Sequence, residues 1–384
     1  MVHLLLAIIY VSFISLGLPD GLLGAAWPDM YGQLAVPLSY AGILSMIICV
    51  GTVISSLSSD WLTHKLGAGK VTAISVALTA AALFGFSLSG EFWMLCLWAV
   101  PYGLGAGSVD ATLNNYVALH YSSRHMSWLH CMWGVGASTG PYIIGIVLSG
   151  GLHWSVGYWV VGILQVMLTA VLFLSLPLWQ RATSEYVSTT KPPSLKQAMA
   201  IPGAWEVVLT FFCYCALEQT AALWSGTYLT IHGGLSEETA ATFASLFFLG
   251  MTAGRAASGF LTMKLDDTKM IRLGFVIIAV GIAVLLLPLG TAGAMAGLLL
   301  VGLGCSPVYP CMMHSTPIHF GAERSQTLMG IQTASAYVGT ALMPPLFGLI
   351  ANNISISMLG CYLLALLVVM ALMYEKLVRK NKRS

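Results

Sequence analysis

Charge is what this chain most conspicuously lacks. Asp, Glu, Lys and Arg together supply 8% of its 384 residues, against roughly 25% in a soluble domain, which excludes an ordinary water-soluble globule. No Gly-x-x-x-x-Gly-Lys-Ser/Thr segment is present, so nothing marks an ATP-driven pump. No His-Glu-x-x-His occurs and the nine His are scattered, which leaves a membrane-embedded enzyme without support. No loop is long enough for the output domain of a receptor, and neither nucleic acid nor a metal is an expected partner. The eight Cys, at 49, 96, 131, 213, 215, 305, 311 and 361, all lie in apolar stretches without metal-ligand spacing. A disulfide framework belongs to small secreted domains, so these read as packing residues.

What the chain has is apolar length. Hydrophobic residues make up 58%, and runs of about 20 residues, enough to cross a ~30 Å hydrocarbon core as a helix, recur from end to end. Twelve are expected, at about 4–30, 38–59, 69–88, 92–118, 126–150, 155–179, 204–230, 238–261, 270–290, 293–318, 325–350 and 356–374. Barrel strands run to about ten residues with alternating polarity, and these runs are longer and continuous. The expectation is an all-α fold of twelve transmembrane helices. The first run keeps a charged Asp and continues to Trp27-Pro28, so it reads as a retained helix and not a cleaved signal.

Basic residues fix an orientation. Lys65, Lys70, Arg124, Arg181, Lys191, Lys196, Lys264, Lys269, Arg272 and Arg324 fall in alternate connections, and Lys376, Arg379, Lys380, Lys382 and Arg383 in the tail. The opposite connections carry Glu91, Glu237 and Glu238 but no Lys or Arg. By the positive-inside rule both termini are expected in the cytoplasm of a multi-pass plasma-membrane protein.

The one linker-like stretch, Arg181–Lys196 with Pro192-Pro193, divides the spans six and six. The expected domains are an N-terminal six-helix bundle (1–180), a cytoplasmic linker (181–202) and a C-terminal six-helix bundle with a basic tail (203–384). Sliding the second half onto the first by 199 superposes Gly103-Leu104-Gly105 on Gly302-Leu303-Gly304, Gly51 on Gly250, Lys65-Leu66 on Lys264-Leu265 and Gly140 on Gly339. Parallel repeats of this kind place a solute site at the midplane between halves.

The loop Asp60-Trp-Leu-Thr-His64-Lys65-Leu-Gly67-Ala-Gly-Lys70 resembles the loop motif of the major facilitator superfamily, with Ser56 where that motif has Gly. Gly254-Arg255-x-x-x-Gly259 is similar to its partial second copy. Gly17-Leu-Pro-Asp20-Gly21-Leu-Leu-Gly24, with Asp110 on the fourth span, is similar to the fucose permease-like branch. That resemblance implies alternating access, a carboxylate on the first helix and another on the fourth, and sugar uptake coupled to protons.

The candidate site residues are polar groups at bilayer depth. An ionised carboxylate there costs roughly 2.5 kcal/mol or more, so it usually faces a cavity and serves an ion, proton or substrate. Asp20, Asp110 and Glu218 are the candidate proton-coupling acids; hydrogen bonding for packing is the bland alternative. Asp20, Trp27, Asn114, Trp133, Glu218, Gln219, Trp224, Tyr309, His314 and Gln332 form the candidate solute site. Amides, phenols and carboxylates match sugar hydroxyls, and flat rings cover a pyranose face, though each aromatic alone also reads as packing. His130 is open between a hydrogen-bonded packing residue and a proton relay. Asp60, Lys65 and Arg255 are candidate gating residues, with Arg255 snorkelling or pairing with acids such as Asp60. Pro19 and the glycines beside Asp20 predict a weakened, closely approached helix there.

The leading expectation is a proton-coupled symporter importing a small hydroxylated solute, a sugar, as a monomer in the bilayer. It needs no cofactor beyond the proton gradient. The same fold run as a proton-coupled exporter of drugs or metabolites is the alternative.

Overall fold

The computed structural model describes residues 2–183, 193–235 and 237–381. The middle of the expected linker (184–192) and Lys382 and Arg383 of the basic tail lie outside them. Among the described residues every regular element is helical: α1 (Val2–Gly17), α2 (Leu22–Gln33), α3 (Ala41–Leu66), α4 (Ala68–Ser87), α5 (Phe92–His120), α6 (Ser123–Ser149), α7 (Trp154–Thr183), α8 (Leu195–Met199), α9 (Ala204–Ile231), α10 (Glu237–Leu261), α11 (Asp267–Leu286), α12 (Gly290–Cys305), α13 (Val308–Phe320), α14 (Ala322–Asn353) and α15 (Leu359–Asn381). Eleven spans, counted among the described residues, are long and apolar enough to cross a membrane; α10 is a further helix of 25 residues that is not among them.

Two of the expected continuous spans are broken. The first is interrupted at Leu18–Gly21, between α1 and α2, and the tenth at Ser306-Pro307, between α12 and α13. The first break has a local cause. Pro19 has no N–H and its ring disturbs the preceding turn, and the Asp20 amide bonds the Gly17 carbonyl at 3.1 Å, a short three-residue turn. Pro307 plays the same part at the second break.

The chain divides into two compact units. One comprises Met1–Tyr116 and Leu129–Pro192; the other comprises Val117–Trp128 and Pro193–Ser384. The connection after α5 and the first turns of α6 therefore pack with the second unit. In the first unit a buried apolar cluster gathers Leu22, Trp27, Met30, Leu83, Phe86, Trp154 and Tyr158. Glycines set how closely helices approach within each unit. A Cβ on Gly17 would run into the Trp133 carbonyl, and one on Gly21 into the Pro141 ring, so α1, the break and α6 lie nearly backbone to backbone. Gly24, by contrast, faces open space. A Cβ on Gly103 would meet the Ile48 carbonyl, and one on Gly302 the Phe247 carbonyl. Those two contacts are related by the same 199-residue offset.

In the second unit α11 begins on a conventional cap. Asp266 accepts the Lys269 N–H at 2.8 Å and pairs with its ammonium at 2.9 Å. The Lys269 side chain, with that N–H, holds the Asp266 carboxyl below its ordinary value.

Candidate functional site

The break between α1 and α2 leaves Asp20 exposed at its centre. The close approach allowed by Gly17 brings α6 near enough for the Trp133 indole N–H to donate to Asp20 Oδ2 at 2.9 Å. The Tyr102 hydroxyl of α5 also hydrogen-bonds this carboxylate, and Asp110 stands within electrostatic reach of it. Beside Tyr102 lies a recess of about 10 Å³, lined by Ser12, Ser15, Thr79 and Gln165 among others, which is room for one water molecule.

Asp110 is 7% exposed on α5. One turn on, the Asn114 amide donates to Asp110 Oδ1 at 2.8 Å and to the Asp110 backbone carbonyl at 2.9 Å. Asn114 Oδ1 then meets His130 Nε2 of α6 at 2.9 Å, and the Phe13 ring packs edge-on to the His130 imidazole at 5.4 Å. Asp20, Trp133, Asp110 and Asn114 were expected together, and the first unit does assemble them. Tyr102 and His130 complete the group. Tyr102 is about two helical turns before Asp110 on α5, the signal that would have found it.

The other expected residues have the following surroundings. Trp27 is 4% exposed inside the apolar cluster, ring to ring with Phe92 at 6.4 Å. Trp224 donates to the Pro344 carbonyl at 3.0 Å and packs on Phe347. Tyr309 sits between the rings of Phe211 and Tyr214. Gln219 is half-buried on α9. Gln332 is fully buried on α14, accepting from Thr316 Oγ1 at 3.1 Å, and its Nε2 finds no hydrogen-bond partner among the described residues.

His314 belongs to a different cluster from the one expected. Its Nδ1 meets Asp267 Oδ2 at 2.6 Å and its Nε2 meets the Tyr121 carbonyl at 3.1 Å, while Ser123 Oγ donates to Asp267 Oδ1. These contacts explain why Val117–Trp128 packs with the second unit. Arg255 likewise pairs differently: its Nη2 lies 3.6 Å from Glu218 Oε1, with both side chains under a tenth exposed. Glu218 lies at mid-span of α9. Of the other gating candidates, Asp60 is half-buried at the end of α3, and Lys65 lies exposed over the Trp61 ring at 5.0 Å. The Gly136-Ala-Ser138-Thr-Gly140 segment has the spacing of a nucleophile elbow. Ser138, however, lies inside α6 and its hydroxyl is bonded to the Gly134 carbonyl at 2.9 Å, so the strand-turn-helix that the elbow requires is missing.

A family model of the Major Facilitator Superfamily matches residues 9–328 and 234–384. The chain belongs to that superfamily. It is 26% identical over 367 residues to an uncharacterized MFS-type transporter of Yersinia pestis, covering 91% of each chain. It is 19% identical over 365 residues to the glucose/mannose transporter GlcP of Bacillus subtilis, covering 90% of this chain and 87% of that one. Among solved structures it matches the transporter FucP in its outward conformation, with a TM-score of 0.80 at 15% identity over 96% of this chain and 97% of that one. A bacterial homologue of the iron transporter ferroportin, outward-facing, matches with a TM-score of 0.77 at 15% identity, over 97% of this chain and 99% of that one. The chain is therefore a transporter with the superfamily's fold, and not an enzyme.

Proposed function

We propose that this transporter is a proton-coupled symporter that imports a small hydroxylated solute, a sugar, by alternating access. The observation that carries the reading is the Asp20–Asp110 pair. Two carboxylates stand within electrostatic reach of each other on spans whose sequences contain no Lys or Arg. Ionising both there is unfavourable on two counts, the low dielectric at bilayer depth and mutual repulsion. A proton relieves both, so proton binding and release are the natural way for this site to change state. The neutral donors around the acids, an indole, a phenol and an amide, are also the chemistry that recognises sugar hydroxyls. The similarity to a fucose:proton symporter from E. coli and to a glucose/mannose transporter points the same way.

On this reading the chain has twelve spans in two six-helix repeats, with α10 as the eighth, both termini cytoplasmic and the plasma membrane as its location. It acts as a monomer with protons as the driving ion. Uptake of a labelled sugar panel into proteoliposomes tests it. Accumulation of one sugar only when an inward proton gradient is imposed supports symport. Accumulation driven by a sodium gradient, or by an outward proton gradient, contradicts it.

A further inference from the structure

His130 has no place in the coupling scheme above, yet it is tied to it through a single side chain. Asn114 spends both amide hydrogens on Asp110, one on Oδ1 and one on the backbone carbonyl. Flipping the amide would aim its oxygen at two acceptors, so its orientation is fixed. Asn114 Oδ1 is then an acceptor, and His130 Nε2, 2.9 Å away, carries the hydrogen that it accepts. This settles the tautomer, because a neutral His130 is protonated on Nε2 and a second proton goes to Nδ1. The arrangement has an unusual property. Asp110 accepts from Asn114 whether its other oxygen is protonated or not, and His130 donates to Asn114 whether the ring is neutral or charged. The two hydrogen bonds through Asn114 are therefore kept whichever of the two groups gains or loses a proton.

We infer that His130 is a positioning and tuning residue for Asp110, setting the pH at which that carboxylate takes up the coupling proton. The inference rests on the proposed role of Asp110 as a proton carrier. A charged imidazolium two side chains away favours the carboxylate, and the intervening amide transmits the effect. The ionised Asp110 polarises the Asn114 N–H, which strengthens its carbonyl as the acceptor for His130. The two groups therefore titrate as a coupled pair. Asp20 at the break and Tyr102 on α5 are titratable groups beside this set, and the Phe13 ring of α1 packs on the imidazole. The basic residue of α6, Arg124, is exposed in its first turn.

The test needs no solute. Infrared difference titration of the full chain in vesicles follows the carboxylic-acid carbonyl band, and the part of it that disappears in Asp110→Asn belongs to Asp110. His130→Gln keeps an amide donor to Asn114 and removes the titrating ring. The Asp110 midpoint in that variant is expected to rise by about one pH unit, with two coupled steps collapsing to one. An unchanged midpoint overturns the inference while leaving Asp110 as the carrier. If the wild-type protein has no Asp110-dependent band over roughly pH 4 to 9, the carrier role itself falls and the tuning role with it. His130→Phe separates position from charge. It removes the donor to Asn114, so its Asp110 band should also broaden or shift in frequency, which His130→Gln should not produce.

Discussion

The two units of the chain hold their mid-span acids in opposite ways. In the first, Asp20 and Asp110 are met by an indole, a phenol and an amide, and the spans that carry them contain no Lys or Arg. In the second, Glu218 faces the guanidinium of Arg255 at 3.6 Å. The 199-residue offset makes the comparison residue by residue. Asp20 falls on Gln219, Trp133 on Gln332, Asp110 on Tyr309, Asn114 on Met313 and His130 on Met329. Every group of the first set that changes charge between about pH 4 and 8 is replaced in the second by an amide, a phenol or a thioether. Pro19 and Ser56, in turn, fall on Glu218 and Arg255, so the second unit has its charges at positions that are uncharged in the first. On the proposed reading proton coupling belongs to the first unit, while the second pairs Glu218 with a guanidinium and Asp267 with His314.

The largest effect should come from breaking that pair. Arg255→Leu strands Glu218 and is expected to destabilise the protein by about 3–5 kcal/mol, with most of the loss recovered in the Arg255→Leu/Glu218→Leu double variant. Thermal unfolding in detergent measures both. Asp20→Leu in the first unit should show no comparable loss, and a drop as large as that of Arg255→Leu would erase the contrast between the units.

Affinity comes next. Asp20→Ala is expected to weaken solute binding by about 1.5–3 kcal/mol, a roughly ten- to hundredfold rise in Kd, because a charge-assisted hydrogen bond is lost. Gln219→Ala, at the matching position, removes only neutral hydrogen bonds, worth about 1 kcal/mol. Calorimetry on the sugar that the uptake panel identifies would sharpen the comparison, and equal effects would argue that the charge of Asp20 is not what the solute reads.

A smaller, symmetric effect belongs to the paired glycines. Gly103→Ala and Gly302→Ala each push a Cβ against a neighbouring carbonyl, which calls for overpacking losses of about 1–3 kcal/mol in each unit. Unfolding temperatures that fall in only one variant would show that the two contacts, though placed alike, are not equivalent in energy.

Much of the fold was legible in the sequence because it rests on local patterns. Long apolar runs gave the helices, and Pro19 between Gly17 and Gly21 marked a weakened point in the first span but not its full interruption at Leu18–Gly21. The tenth span was harder: Pro307 lies in it beside Pro310 and Pro317, and spacing alone does not say which proline interrupts a helix and which a first turn absorbs. Side-chain pairing was legible only in part. That Asp20 is met by Trp133, 113 residues away, depends on α1 lying backbone to backbone with α6, which is a tertiary fact. The end-of-helix position of Arg255 suggested an acid such as Asp60. The length of the Arg side chain instead lets its guanidinium reach Glu218, deeper in the second unit. Polarity alone put Trp27 and His314 in the solute site. Trp27 lies in the apolar cluster, and His314 is bonded to Asp267 and the Tyr121 carbonyl.

The claim that coupling resides in the first unit is tested most directly by Asp110→Asn in proteoliposomes, with uptake and exchange of the same sugar measured side by side. The account predicts that exchange across the membrane persists while accumulation driven by a proton gradient disappears. Gradient-driven accumulation at the wild-type level would contradict it.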